Sequence, residues 1–260
     1  MCAQDVQPTF GSGLKRLPIV FCLDVSPSMK WTIESETPPI QLLSKAIERF
    51  FVALKENPKA YAATEIAFVT FSSNIEMNTE FKPLRSVEIP EIDALEEGGT
   101  NISLAVLEAI KKIDERRAAM ASRGIKYYAP FLVIVTDGDP DQIDRQSPTY
   151  AAALKAIEAH CHDHTPIQEL ILPFVIGIGS RVDTETLNAY ARFFLDGYLP
   201  VRGSEISMGD RLAGIFNIII QSALVSFTPN STHKTVISET RSAANQWLAE
   251  IEELTKLNGM

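Results

Sequence analysis

The chain has 260 residues, 45 % of them hydrophobic and 22 % charged, enough for one α/β domain with a full core and short for two. Its formal net charge of −9 repels phosphate backbones and anionic lipid, which argues against nucleic acid and membrane surfaces as partners. Three widely spaced cysteines (Cys2, Cys22 and Cys161) are an odd number and make no disulfide framework, so a reducing, cytoplasmic setting is expected.

Residues 1–13 are polar, carry no apolar signal core, and read as a flexible N-terminus. Residues 17–23 (LPIVFCL) are a continuous apolar run and predict a buried strand, with Cys22 acting as a small hydrophobe. Leu43, Ile47, Phe50, Phe51 and Leu54 have helical spacing over 40–56, and Asn57-Pro58 stops that helix. A second strand follows at 65–71. Residues 81–84 predict a short edge strand, because Pro83 excludes a central place. Gly98-Gly99 marks a loop, and Leu104, Leu107, Ile110 and Ile113 lie on one face of a helix over 102–121. Strand 130–136, helix 149–160, strand 170–178, helix 183–194, a short strand 199–201 and helix 208–226 complete the alternation. Residues 212–227, the most apolar later stretch, are interrupted by Asn217, Gln221 and Ser222 and predict a buried helix rather than a membrane span. Residues 228–233 read as a linker. Trp247, Leu248, Ile251, Leu254 and Leu257 then form the stripe of a final amphipathic helix that docks on the core or on a partner. The expected organisation is a domain over 14–226 and a linker with C-terminal helix over 227–260, the core being complete before the tail. The fold class is α/β: a doubly wound, mostly parallel sheet with helices on both faces and a C-terminal helical extension. In such sheets ligands bind at the carboxyl ends of the strands.

Three polar clusters fall at that rim. Asp24-Val25-Ser26-Pro27-Ser28 follows the first strand, Gly98-Gly99-Thr100-Asn101 opens a helix, and Thr136-Asp137-Gly138-Asp139 follows another strand. Together they supply carboxylates and hydroxyls, with glycines that let backbone come close and no His or Cys. An all-oxygen set suits a hard cation, Mg²⁺ first, with Mn²⁺ and Ca²⁺ as further candidates. Singly, each cluster has an ordinary explanation: Asp24 or Ser26 capping the next helix, Thr100 capping helix 102–121, Asp137-Gly138 forming a plain turn. Asp139 and Asp141 read as turn chemistry or solvated charge. Residues 160–164 (HCHDH) crowd a helix C-terminus, where His suits the dipole, and lack the separated pairs of a structural zinc site.

Asp24, Ser26 and Ser28 as D-x-S-x-S, Thr100, and Asp137 in T-D-G resemble the metal ion-dependent adhesion site of von Willebrand factor A domains, over roughly residues 17–226. The resemblance implies that Ser26, Ser28 and Thr100 touch the metal, that Asp24 and Asp137 act largely through water, and that one position is left for an Asp or Glu carboxylate of a protein partner. L-D-x-S-x-S-M (23–29), G-G-T-N-I-S (98–103) and T-D-G-D-P (136–140) are most similar to the bacterial TerY-type branch, which implies a stress-response or tellurite-resistance setting with kinase or phosphatase partners. Pro27 stands where that loop more commonly has Gly, and residues 35–39 form an unusual insert. A binding module, not an enzyme, is therefore expected. The alternative is a magnesium-dependent phosphohydrolase with Asp24 as nucleophile, but the clusters hold no His, Cys or Lys for acid–base work. A dinucleotide site is excluded because residues 24–29 contain no Gly.

Overall fold

The computed structural model describes residues 14–31, 37–138, 145–161, 165–166, 169–192, 194–195, 197–202 and 207–258. Strands are β1 (Leu17–Asp24), β2 (Thr64–Phe71), β3 (Ile75–Asn78), β4 (Lys82–Pro83), β5 (Phe131–Thr136), β6 (Leu172–Ile178) and β7 (Leu199–Val201). Helices are α1 (Pro39–Glu56), α2 (Pro58–Ala63), α3 (Ile102–Ala121), α4 (Pro148–Cys161), α5 (Thr184–Ala191), α6 (Met208–Ser226) and α7 (His233–Asn258). The sheet runs β3-β2-β1-β5-β6-β7, with β1, β2, β5, β6 and β7 parallel and both β3 and β4 antiparallel to β2.

Side-chain alternation along each central strand feeds two cores. Leu17, Ile19, Phe21 and Leu23 of β1 join Phe131, Val133 and Val135 of β5 under α1 and α6. Val20 and Cys22 join Leu132 and Ile134 on the other face, under α3, α4 and α5. A strand buried on both faces has no polar positions to alternate, which is why LPIVFCL is apolar throughout. Phe21 stacks on Phe68 at 5.6 Å and meets Phe50 edge-on at 5.3 Å, which ties β1, β2 and α1 together. Cys22 is fully buried, and that burial pushes its thiol pKa well up.

Some boundaries differ from expectation for local reasons. Asn57 ends α1 but also opens α2: its side chain accepts from the amides of Lys59 and Ala60, and Pro58 fits the first helical position. Strand β3 is half exposed on the sheet edge and has no apolar run to mark it. The helix expected at 183–194 spans Thr184–Ala191, with Asp183 as its cap, accepting from the amides of Glu185 and Thr186.

Residues 228–233, expected as a linker, form a turn. Ser231 N–H donates to Thr228 O, and Asn230 adopts a left-handed φ of 64°. Thr232 then caps α7 by accepting from Thr235 N–H at 3.1 Å. Helix α7 runs antiparallel along α6. Val236 and Ala244 are buried in the same core as Phe21, and the Thr240 hydroxyl donates to Ser222 Oγ at 2.7 Å. The boundary after residue 226 is therefore not the end of the packed core. The Trp247 indole lies on Gly214, where an added Cβ would sit 2.5 Å from Nε1. Gly214→Ala, which ordinarily helps a helix, is therefore expected to destabilise the protein by about 1–3 kcal/mol. Trp247→Leu in the same chain should recover part of that loss. Thermal melts of the four-protein cycle check this; additive effects would show that the two residues do not meet.

Among the described residues no helix is long and apolar enough to cross a membrane; residues 212–226 belong to α6.

Candidate functional site

The carboxyl ends of β1, β2, β5 and β6 lie along one rim, and the loops there are laced to each other. Val25 N–H donates to Phe71 O, Leu95 N–H to Val25 O, and Asn101 N–H to Ser72 O at 2.7 Å. Ser72 Oγ donates to Gly99 O at 3.0 Å, and Gly99 N–H donates to Ser73 Oγ at 2.6 Å. These bonds hold the Gly98-Gly99-Thr100 loop beside the first strand. Gly98 takes φ +139°, and a Cβ there would lie 2.2 Å from Ser72 Oγ, so only glycine fits.

Asp24, the last residue of β1, is 0 % exposed. Its Oδ1 accepts from Ser26 N–H at 2.8 Å and its Oδ2 from the Thr136 hydroxyl at 2.5 Å. Burial pushes its pKa up, opposed by these hydrogen bonds. Residues Pro27–Lys30 form a 3-10 turn that brings the hydroxyls of Ser26 and Ser28 to 3.0 Å of each other. Ser28 Oγ donates to Asp137 Oδ1 at 2.8 Å, across 109 residues of sequence. Asp137 is pushed up to about 7, by burial first and by the charge of Asp24 second, with Arg181 and the Ser28 hydrogen bond acting against this. Gly138 closes the ring: a Cβ on it would lie 2.8 Å from Thr100 Oγ1 and 3.6 Å from Ser28 Oγ.

The structure thus brings Asp24, Ser26, Ser28, Thr100 and Asp137 to one place. It also separates the ordinary explanations from this arrangement. The Ser26 side chain makes no cap bond to the turn it precedes. Helix α3 is capped by Asn101, whose side chain accepts from Leu104 N–H at 3.1 Å, so Thr100 has no capping duty. Asp137 accepts from Ser28 across the ring as well as from its own backbone N–H.

A cleft of 440 Å³ opens over the ring, lined by Ser26, Ser28, Thr100, Asp137 and Gly138 and walled by Trp31, Glu96, Glu97 and Arg181. Among the described residues neither Asp24 nor Asp137 ion-pairs with Lys or Arg. Two mutually repelling carboxylates, Asp24 fully buried with no basic neighbour and Asp137 half-buried with only Arg181 acting on it from the cleft wall, fit a divalent cation, as do the small hydroxyls and the space that Gly138 leaves.

Four residues of this neighbourhood, Ser72, Ser73, Trp31 and Arg181, were not legible as functional in the sequence, and Thr136 was legible only as a member of the third cluster. Ser72 and Ser73 position the glycine loop and Thr136 orients Asp24. A polar pair directly after a buried strand was the available signal for the serines. Trp31 and Arg181 stack on one another at the mouth of the cleft, Arg181 Cζ 4.8 Å from the ring centroid. Asp139, Asp141, His162, Asp163 and His164 lie outside the described residues. His160 Nδ1 lies 3.1 Å from Glu169 O, and its Nε2 faces Asp114 at 3.5 Å.

The sequence model of the von Willebrand factor type A domain matches residues 19–192. No curated protein sequence matches the chain significantly. Among solved structures, the pilus adhesin SpaC from Lactobacillus rhamnosus GG superposes with a TM-score of 0.57 at 12 % identity, covering 83 % of this chain and 31 % of that one. A von Willebrand factor type A protein from Catenulispora acidiphila gives 0.49 at 16 % identity, covering 81 % and 43 %. Proximal thread matrix protein 1 from the mussel byssus, with a zinc occupied MIDAS motif, gives 0.47 at 16 % identity, covering 81 % and 46 %. The chain spans less than half the length of each of these three proteins. With two thirds of its length matched by the family's sequence pattern and a mostly parallel sheet flanked by helices, the chain belongs to the von Willebrand factor type A domain family.

Proposed function

We propose that this chain is a metal-dependent protein-binding module, in which Ser26, Ser28 and Thr100 offer hydroxyl oxygens to one Mg²⁺ or another divalent cation and Asp24 and Asp137 supply the neutralising charge. The bound metal would supply a Lewis-acidic position for an Asp or Glu carboxylate of a partner protein. The observation that carries this reading is the fully buried Asp24 carboxylate with no basic partner, set beside Asp137 and three hydroxyls that no helix cap uses. Asp24 and Asp137 give the rim its negative charge, so without metal it repels an acidic partner, and binding is metal-gated.

Asp24 is a poor nucleophile in this position: both oxygens accept hydrogen bonds and none of the side chain is exposed. The module is therefore proposed as non-enzymatic. Its resemblance to the TerY-type branch supports a cytoplasmic stress-response role with kinase or phosphatase partners.

Affinity purification from cell extract in Mg²⁺ and in EDTA, with wild type and with Thr100→Ala and Ser28→Ala, tests the reading. Partner capture should vanish in EDTA and weaken about tenfold or more with each substitution, about 1.4 kcal/mol or more, while the folded signal is kept. Undiminished capture in EDTA would place the interface away from the rim. Phosphate-ester turnover abolished by Asp24→Asn would favour the phosphohydrolase instead.

A further inference from the structure

We propose that Arg181 and Trp31 form a second anchoring point beside the metal ring, and that the partner segment is an acidic loop with two carboxylates: one for the metal and one for the Arg181 guanidinium. This rests on the metal-recruitment reading above and adds the chemistry of the partner.

Trp31 closes the 3-10 turn that carries Ser28, and its N–H donates to Ser28 O at 2.9 Å. That backbone bond ties the residue to the metal loop, while its side chain is 49 % exposed, more than any other large hydrophobic side chain of the described residues except Val52. Arg181 comes from the opposite direction, just past the end of β6, and lays its guanidinium over that indole at 4.8 Å. Stacking fixes the plane of the guanidinium and leaves its edge donors free to grip a carboxylate in two-point fashion. Among the described residues no carboxylate lies within ion-pairing distance of Arg181, whereas the other cation near the turn, Lys30, is engaged by Glu96.

The charge pattern points the same way. The chain carries a net charge of −9, and Glu96, Glu97 and Asp137 line the cleft. Among the described residues lining it, Arg181 is the one basic side chain. An exposed Trp–Arg pair beside a strong central contact is the composition of a binding hot spot. A lone carboxylate would satisfy the metal alone; Arg181 selects for a second one at fixed spacing.

The test is a random-peptide phage library panned on the immobilised full chain in Mg²⁺ and eluted with EDTA, for wild type and Arg181→Glu in parallel. The Mg²⁺-induced rise in melting temperature is measured for each without peptide. The wild-type pool should share one acidic position and a second Asp or Glu at constant spacing. The Arg181→Glu pool should keep the first, lose the second and gain Lys or Arg there. A peptide from the wild-type pool should bind Arg181→Ala at least tenfold more weakly and Trp31→Ala several-fold more weakly. Replacing its second acid by Gln should weaken wild type alone. Identical pools from the two proteins, or equal affinity for Arg181→Ala, overturn the second anchor while leaving the metal reading intact. No EDTA-eluted peptide from either protein overturns both.

Discussion

Deleting residues 228–260 is expected to lower the melting temperature by roughly 10–20 °C and to make the protein aggregate. Helix α6 is buried on two sides: Leu212, Ile215, Phe216 and Ile219 are fully buried in the core, while Gly214, Ile218 and Ser222 form a stripe at fourfold spacing. Helix α7 answers that stripe with Val236, Thr240, Ala244 and Trp247, the pairs Gly214–Trp247 and Ser222–Thr240 setting an antiparallel register. Arg241 Nε adds a hydrogen bond to Phe194 O at 2.6 Å. Uncovering these groups forfeits on the order of 5 kcal/mol of apolar burial, a large share of the ~5–15 kcal/mol that holds a domain folded. At about 2–4 °C per kcal/mol for a chain of this size, the shift follows. The bared stripe on α6 would also be a new apolar patch, which promotes association. Reading the sequence alone favours the opposite outcome, a folded domain after truncation. Calorimetry and size-exclusion chromatography of the truncated chain decide: a monomer melting within 2 °C of the full protein would show that α7 merely rests on the surface.

That difference shows where the sequence is informative. Strands β1, β5 and β6 are legible because burial on both faces forces an apolar run, and the alternation with helices follows from the parallel sheet. Helix α6 has the same bounds in the sequence pattern and in the structure, because its apolar content leaves it no alternative to burial. The docking of α7 is harder to read. Its contact with α6 depends on a small residue, Gly214, and on a hydroxyl pair, Thr240 and Ser222, and neither is an apolar signal. At the rim, Asp24, Ser26, Ser28, Thr100 and Asp137 stand out as polar residues at strand ends and helix starts. The bonds that hold them do not: Ser72, Ser73 and Thr136 act through contacts spanning 26 to 112 positions of the chain, which no local window contains. Trp31 and Arg181 are 150 residues apart by number and meet only because β1 and β6 end on the same rim.

Asp24→Asn should separate stability from metal binding, with opposite signs in the two conditions. In EDTA the wild-type ring holds two carboxylates that repel each other in a buried setting, and Asp24 has no cationic neighbour to relieve it. An Asn keeps the shape. Its Oδ1 accepts from Ser26 N–H, and its amide donates to Thr136 Oγ1, which can turn to accept. The variant therefore loses a charge while keeping the Ser26 N–H and Thr136 contacts, and its apo form should melt a few degrees higher than wild type, about 1 kcal/mol or more at the usual conversion. Adding Mg²⁺ should reverse the order. A cation present at a hundred times its dissociation constant stabilises the wild type by about 2.7 kcal/mol, or roughly 5–10 °C, and should leave the variant unmoved. Metal-dependent partner capture should be lost with it. Thr136→Val completes the pair: it removes the hydroxyl that orients Asp24 but keeps both charges, so it should weaken the Mg²⁺ response without raising the apo melting point. The measurement is differential scanning calorimetry of the three proteins in EDTA and across a Mg²⁺ titration. An Asp24→Asn variant less stable than wild type in EDTA would mean that the Asp24 carboxylate is held for structure, by its hydrogen bonds, and not for a cation.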